Sequence, residues 1–172
     1  MDLIVRAAQF AKYAHSSQRR KYTGIPFIAH PMRVAGRTAL TTGMLDRDVA
    51  AAWMHDVVED HPTFKELMLS EFRPEVTDLV MELTNAKSPA LLSDPVDPGL
   101  NRAARKAKDR QRLAGVSIKA KRIKLIDRID NIADIPARSD FLQVYLAESQ
   151  LLLDECLRGA DNDLEQELQG LI

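Results

Sequence analysis

The chain sets His55 beside Asp56 and Glu59 beside Asp60 four residues later, within a run of otherwise apolar residues: Ala50-Ala51-Ala52-Trp53-Met54 before the first pair and Val57-Val58 between the two. Burying such side chains unpaired costs on the order of several kcal/mol each. A divalent cation shared between them removes that cost. Neighbours on a helix point about 100° apart, so one ion fits the seam between His55 and Asp56. The pair at i+4 lies above it on the same surface. A metal floor under a carboxylate wall is a way to make and aim a hydroxide. The plain alternative is a helix end carrying solvated acids.

Metal-dependent hydrolases hold their ion with several imidazoles and carboxylates and leave positions open for water. Two further residues qualify. His30 stands among apolar neighbours in Phe27-Ile28-Ala29-His30-Pro31, where a satisfied, half-buried histidine is the ordinary reading. Asp127 lies between Leu125, Ile126 and Ile129, with Asn131 one turn on along the same face. A buried Asp needs a partner, and a salt bridge to a nearby Lys or Arg serves as well as a metal. The order His, His-Asp, Asp carries more weight than any one of these residues.

The elements that must position them read as helices. With 172 residues, 45% hydrophobic and only 5% aromatic, the chain suits a single domain over 1–172 with an Ala/Leu/Ile core. Helical periodicity dominates. Asp2 caps a first helix to about His15, and a polar break over Ser16–Pro26 leads to a second from Pro31 to Gly43. Asp46 is a natural N-cap for a helix through Val58. Thr63 and Glu66 form a capping-box pattern, and Pro74 fits the first turn of a helix to Leu83. Residues 84–100 read as a long loop. Helices follow at about 101–113, 118–132 and 141–157, with a short tail helix from Asp161. The fold expected is an all-α globule of eight or nine helices.

Formal net charge is −1, but its distribution is lopsided. Asn101 to Lys124 holds ten Lys/Arg against one acid, while Asp140 onward holds eight acids against one base. Basic clusters attract phosphates, although about half of these ten cations are expected to be solvated helix faces. The one cysteine, Cys156, forms no internal disulfide, reads as a core residue and suits a reducing, cytoplasmic setting. No apolar run is long enough to span a membrane, and no signal pattern opens the chain.

Four collinear segments carry a resemblance: Ala14-His15-Ser16-Ser17-Gln18-Arg19-Arg20-Lys21, Gly24-Ile25-Pro26-Phe27-Ile28-Ala29-His30-Pro31, His55-Asp56-Val57-Val58-Glu59-Asp60 and Lys124-Leu125-Ile126-Asp127-Arg128-Ile129-Asp130-Asn131. From about Ala7 to Leu157 the chain resembles the HD superfamily of metal-dependent phosphohydrolases, and within it the small alarmone hydrolases related to the hydrolase half of Rel/Spo enzymes. The resemblance implies a single HD-type domain. It implies that His30, His55, Asp56 and Asp127 hold a manganese ion and that Glu59 and Asp60 handle the attacking water. It further implies that Arg20 and Lys21 meet base and phosphates, that Asn131 meets the sugar, and that Tyr145 packs the nucleotide. The activity implied is removal of the 3′-pyrophosphate from (p)ppGpp or (p)ppApp.

Two other functions compete. One is a different HD phosphohydrolase, acting on nucleoside monophosphates or on the 2′-phosphate of NADPH. The other is a helical nucleic-acid-binding module using the 101–124 stretch, which lacks a helix-turn-helix pattern or paired aromatics. The expected partner is a small nucleotide, with no nucleic acid and no membrane. The sequence leaves the base preference and the oligomeric state open, a homo-oligomer included.

Overall fold

A computed structural model of the chain describes residues 2–85 and 102–172. Its helices are α1 (Leu3–Ala14), α2 (Ala29–Leu40), α3 (Asp46–Met54), α4 (Val57–Asp60), α5 (Lys65–Glu71), α6 (Pro74–Leu83), α7 (Arg102–Ala114), α8 (Ile118–Asp134), α9 (Asp140–Leu152) and α10 (Asn162–Leu171). A 3₁₀ turn, Pro62–Phe64, leads into α5, and α9 runs on as a π-helical turn, Leu153–Leu157. Among the described residues the only β geometry is an isolated bridge between Arg19 and Pro26. The all-α expectation holds.

Several helix starts obey their local chemistry. The Asp2 carboxylate accepts from the Ile4 and Val5 amides. Pro74 occupies the first turn of α6, where its missing N–H costs nothing. Ser117 caps α8 and Asp161 caps α10 through their side-chain oxygens. Two expected caps are corrected. Leu45, not Asp46, occupies the N-cap of α3, because the Asp48 carboxylate accepts from the Leu45 amide and is itself paired with Lys119. Thr63 makes no capping hydrogen bond, and the chain enters α5 through the 3₁₀ turn instead. The helix expected to run through Val58 breaks at His55-Asp56. The His55 imidazole takes the Ala52 carbonyl at 2.8 Å, an oxygen that would otherwise accept from the Asp56 amide. Among the described residues that break separates α3 from α4, giving ten helices where eight or nine were expected. Residues 86–100 of the long loop lie outside the described residues.

α3 is the central element. It packs against α1, α2 and α6, and Ala50, Ala51 and Ala52 are all fully buried. Three consecutive small residues let neighbours approach on several sides at once, so the core fills with few aromatics. α2 touches both α3 and α8, while α8 also meets α6, α9 and α10. This arrangement brings the second helix, the broken end of α3 and the middle of α8 to one place. No described helix is long and apolar enough to cross a membrane.

Candidate active site

His30 sits in the first turn of α2, His55 and Asp56 at the break after α3, and Asp127 midway along α8. His30, His55 and Asp56 offer ligand-type atoms that all lie within 4.8 Å of one another. Asp127 joins them: its Oδ1 is 3.2 Å from His30 Nε2 and 3.6 Å from His55 Nε2. Asp56 Oδ2 lies 3.4 and 3.2 Å from the same two nitrogens. Both imidazoles are buried, and neither Nε2 has a hydrogen-bond partner.

The other ring nitrogens explain this orientation. His30 Nδ1 is 2.6 Å from Asp130 Oδ2, and Asp130 is gripped by the Arg33 guanidinium at 2.5 and 2.9 Å. His55 Nδ1 donates to the Ala52 carbonyl. With Nδ1 serving as donor, each neutral ring turns a bare Nε2 inward, the arrangement by which metal-binding histidines are oriented. Two unpartnered buried nitrogens facing two carboxylates fit a divalent cation.

Without an ion, protons take its place. Burial opposes charge on His30, but the Asp127, Asp130 and Asp56 carboxylates outweigh it and hold its pKa well above the usual value. Burial likewise opposes charge on His55, yet Asp56 and Asp127 bring its pKa to about 9. Burial would raise the carboxyl pKa of both acids. The His55 and His30 charges overcome it at Asp56, and Lys124 with the two imidazoles overcomes it at Asp127, so both stay well below the usual range. The salt-bridge alternative for Asp127 is present too. Lys124 Nζ donates to its Oδ2 at 2.7 Å, while Asn131 Nδ2 donates to Oδ1 at 2.5 Å. Asp127 therefore meets a lysine with one oxygen and the imidazoles with the other.

Glu59 and Asp60 follow on α4. The Asn85 backbone amide donates to Glu59 Oε2 at 3.0 Å. Asp60 Oδ2 accepts from Gln18 Nε2 at 2.8 Å. Partial loss of hydration raises the Asp60 pKa, and the negative charges of Asp56 and Glu59 push it the same way.

The Ser16–Pro26 break, read from sequence as irregular, is a small hairpin. Phe27 N donates to Gln18 O and Arg20 N to Ile25 O, and Gly24 turns the chain with φ +69°. The hairpin fixes Arg20 against α8. Its Nε meets Asp134 at 2.5 Å, an Nη meets Asn131 Oδ1 at 2.7 Å, and its plane lies 5.5 Å from the Phe27 ring centre. Asn131 thus links Arg20 to Asp127. Lys21 faces the rings of Tyr22 and Phe141, and the Arg128 guanidinium sits 3.8 Å from the centre of the Tyr145 ring. Burial raises the Tyr145 pKa, so its hydroxyl stays protonated.

Sequence reasoning did not single out Asp130, Arg33 or Gln18 as site residues. The basic stretch resolves differently from a phosphate-binding face. Arg102 pairs with Glu148, Arg110 with Glu155, Arg112 with Asp109, Lys119 with Asp48, Arg122 with Asp161 and Lys124 with Asp127, while Lys121 donates to the Ala114 carbonyl. Cys156 is buried, and its thiol contacts the Arg110 carbonyl at 3.0 Å. Burial raises its pKa, which keeps it a core thiol.

An all-helical fold that turns two imidazoles and two carboxylates onto one point defines a class, the helical domain built around a histidine–aspartate cradle. The chain belongs to the HD domain family, which it matches over residues 7–152. It is 31% identical to the guanosine-3′,5′-bis(diphosphate) 3′-pyrophosphohydrolase MESH1 of Drosophila melanogaster, over 98% of this chain and 92% of that one. It is 36% identical to the MESH1 of Xenopus tropicalis, over 77% of this chain and 69% of the relative. Among solved structures it is similar to a metazoan ortholog of SpoT that hydrolyzes ppGpp, with a TM-score of 0.80 and 28% identity over 99% of this chain and 94% of that chain.

Proposed function

We infer that the protein is a metal-dependent alarmone hydrolase that removes the 3′-pyrophosphate from nucleotides of the (p)ppGpp or (p)ppApp type. The observation that carries this reading is the pair of buried, unpartnered Nε2 atoms facing Asp56 and Asp127. It is supported by relatives named for that activity which align along nearly the whole chain.

His30, His55, Asp56 and Asp127 hold the cation, and manganese suits their mixed imidazole and carboxylate donors. When bound, it supplies a Lewis acid and lowers the pKa of water at the site. Glu59 and Asp60 would orient the attacking water and take its proton. The water oxygen bonds to the phosphorus attached to the ribose 3′-oxygen as the P–O3′ bond breaks, pyrophosphate leaves, and the proton passes to the 3′-oxygen to give the hydroxyl. Arg20, held edge-on by Asp134 and Asn131 with Phe27 against its plane, is suited to stack a purine. Lys21 meets the phosphates, Asn131 the sugar and Tyr145 the nucleotide.

Incubation of manganese-loaded protein with guanosine and adenosine 3′,5′-bis(diphosphates), with pyrophosphate and orthophosphate measured separately, tests the reading. The expected products are a nucleoside 5′-diphosphate and pyrophosphate. Orthophosphate alone, or turnover confined to nucleoside monophosphates or NADPH, would overturn it in favour of another HD phosphohydrolase.

A further inference from the structure

Three chain segments converge on the Gln18 amide: the end of α1, the hairpin that follows it and the end of α4. Gln18 Oε1 is 2.6 Å from His15 Nδ1 and 3.1 Å from His61 Nε2, and Gln18 Nε2 donates to Asp60 Oδ2 at 2.8 Å. A neutral side-chain amide has one accepting oxygen and donates only from nitrogen. Both imidazole nitrogens facing the oxygen must therefore carry hydrogen. Flipping the amide would set an oxygen against the Asp60 carboxylate and an NH₂ against two N–H groups. The Asp60 carboxylate, which accepts from the amide NH₂, and the two histidines, each donating to the amide oxygen, are satisfied together by this one orientation of Gln18.

The anchoring is itself anchored. His15 is 2% exposed and packs on Phe27, with ring centres 4.6 Å apart, and His61 meets the His15 ring edge-on at 5.1 Å. Asp60, by contrast, is exposed and ends a helix of a single turn. Among the described residues, Gln18 is the one side chain that hydrogen-bonds it. A carboxylate on so short an element, left alone, samples several rotamers.

We propose that Gln18 is a positioning residue: it holds Asp60 Oδ2 so that Oδ1 is presented to the water and substrate, with His15 and His61 locking the amide. This rests on the reading of Asp60 as a proton-handling group. It gives both histidines a purpose outside the metal cradle, and it needs no substrate contact by Gln18.

The test is a double-mutant cycle measured by steady-state kinetics on the manganese-loaded protein, with metal content and melting temperature recorded for each variant. Gln18→Met keeps the length and removes the amide. Loss of positioning should lower kcat about 10-fold with KM unchanged, because misplacement of a reacting group acts on the transition state. In an Asp60→Asn background the same change should cost less than about twofold, as expected for residues that act as a unit. Gln18→Glu, equal in shape but without the donor, should lose at least as much kcat as Gln18→Met, and it covers the case in which the methionine variant folds poorly. Equal losses in both backgrounds would overturn the inference while leaving the Asp60 reading intact. Undiminished kcat in both Gln18 variants would do the same. Full activity in Asp60→Asn would overturn the Asp60 reading and this inference with it.

Discussion

The cradle between α2, α3 and α8 and the basic stretch along α7 and α8 are both dense in charge, and they treat it in opposite ways. In the basic stretch, guanidinium and ammonium groups find carboxylates. Arg102 and Arg110 reach across to Glu148 and Glu155, and Arg122 reaches to Asp161 near the start of α10. The lopsided charge along the sequence is therefore in part an internal match, with Arg102, Arg110 and Arg122 set against acids of the C-terminal segment and Arg112, Lys119 and Lys124 against Asp109, Asp48 and Asp127. In the cradle the account does not close: two buried imidazole nitrogens face carboxylates and still lack a hydrogen-bond partner. In the basic stretch Arg112 Nε is also buried without a partner, but its other two nitrogens are held by the Glu82 carbonyl and Asp109. In the cradle the two bare nitrogens converge on one point between two carboxylates, and that convergence marks the place where a ligand belongs.

The largest expected effect outside the ligands themselves falls on the carboxylate wall. Glu59→Gln and Asp60→Asn should each lower turnover by ~10²-fold or more, with the metal retained on elemental analysis. Loss of the ion in both variants would move these residues into the cradle. Asp130→Asn comes next. It leaves all four candidate ligands in place but weakens the hydrogen bond that orients His30, so manganese affinity should drop by ~10–100-fold in a competition titration. An unchanged affinity would show that the Asp130 contact is incidental.

A smaller effect is expected at the proposed base contact. Arg20→Ala should raise KM roughly tenfold for guanosine and adenosine substrates alike, since stacking is worth ~1–3 kcal/mol with little regard for base identity. Unchanged KM in both series would remove Arg20 from the nucleotide pocket. The smallest effect belongs to the matched region. Arg110→Ala breaks a pair whose Glu155 partner is largely exposed, so stability should fall by no more than ~1 kcal/mol, with kcat and KM unchanged. A large loss of activity there would blur the contrast between the two regions.

What the sequence revealed follows the same division. The candidate ligands were legible because a His or Asp in an apolar helical context is costly unless something holds it, and the cost shows in one dimension. Helix starts at Asp2, Pro74 and Asp161 are local chemistry, readable over three or four residues. Asp130 behind His30 was not, because the partners are 100 residues apart and only the contact of α2 with α8 joins them. The contact between Gln18 and Asp60, 42 residues apart, stayed hidden for the same reason. The break at His55-Asp56 escaped because it depends on a side chain taking a backbone carbonyl. The charge runs misled for a related reason. Composition records the cations along α7 and α8, but not the acidic helices folded against them.

The claim that the unmatched cradle is a metal site is tested most directly by calorimetric titration of chelator-treated protein with manganese across pH 6 to 9. In the metal-free protein the His55 pKa is raised from 6.5 to about 9, and that of His30 is raised as well. The stability these protons contribute is full below pH 6.5 and is lost as pH rises through about 9, so the metal-free protein should weaken over that window. A cation must displace the same protons, so its affinity should climb over the same window, with protons released on binding. The account predicts one ion per chain, tighter binding at pH 8 than at pH 6 in wild type, and no binding in Asp127→Ala. Binding that ignores pH, or that survives intact in Asp127→Ala, would contradict it.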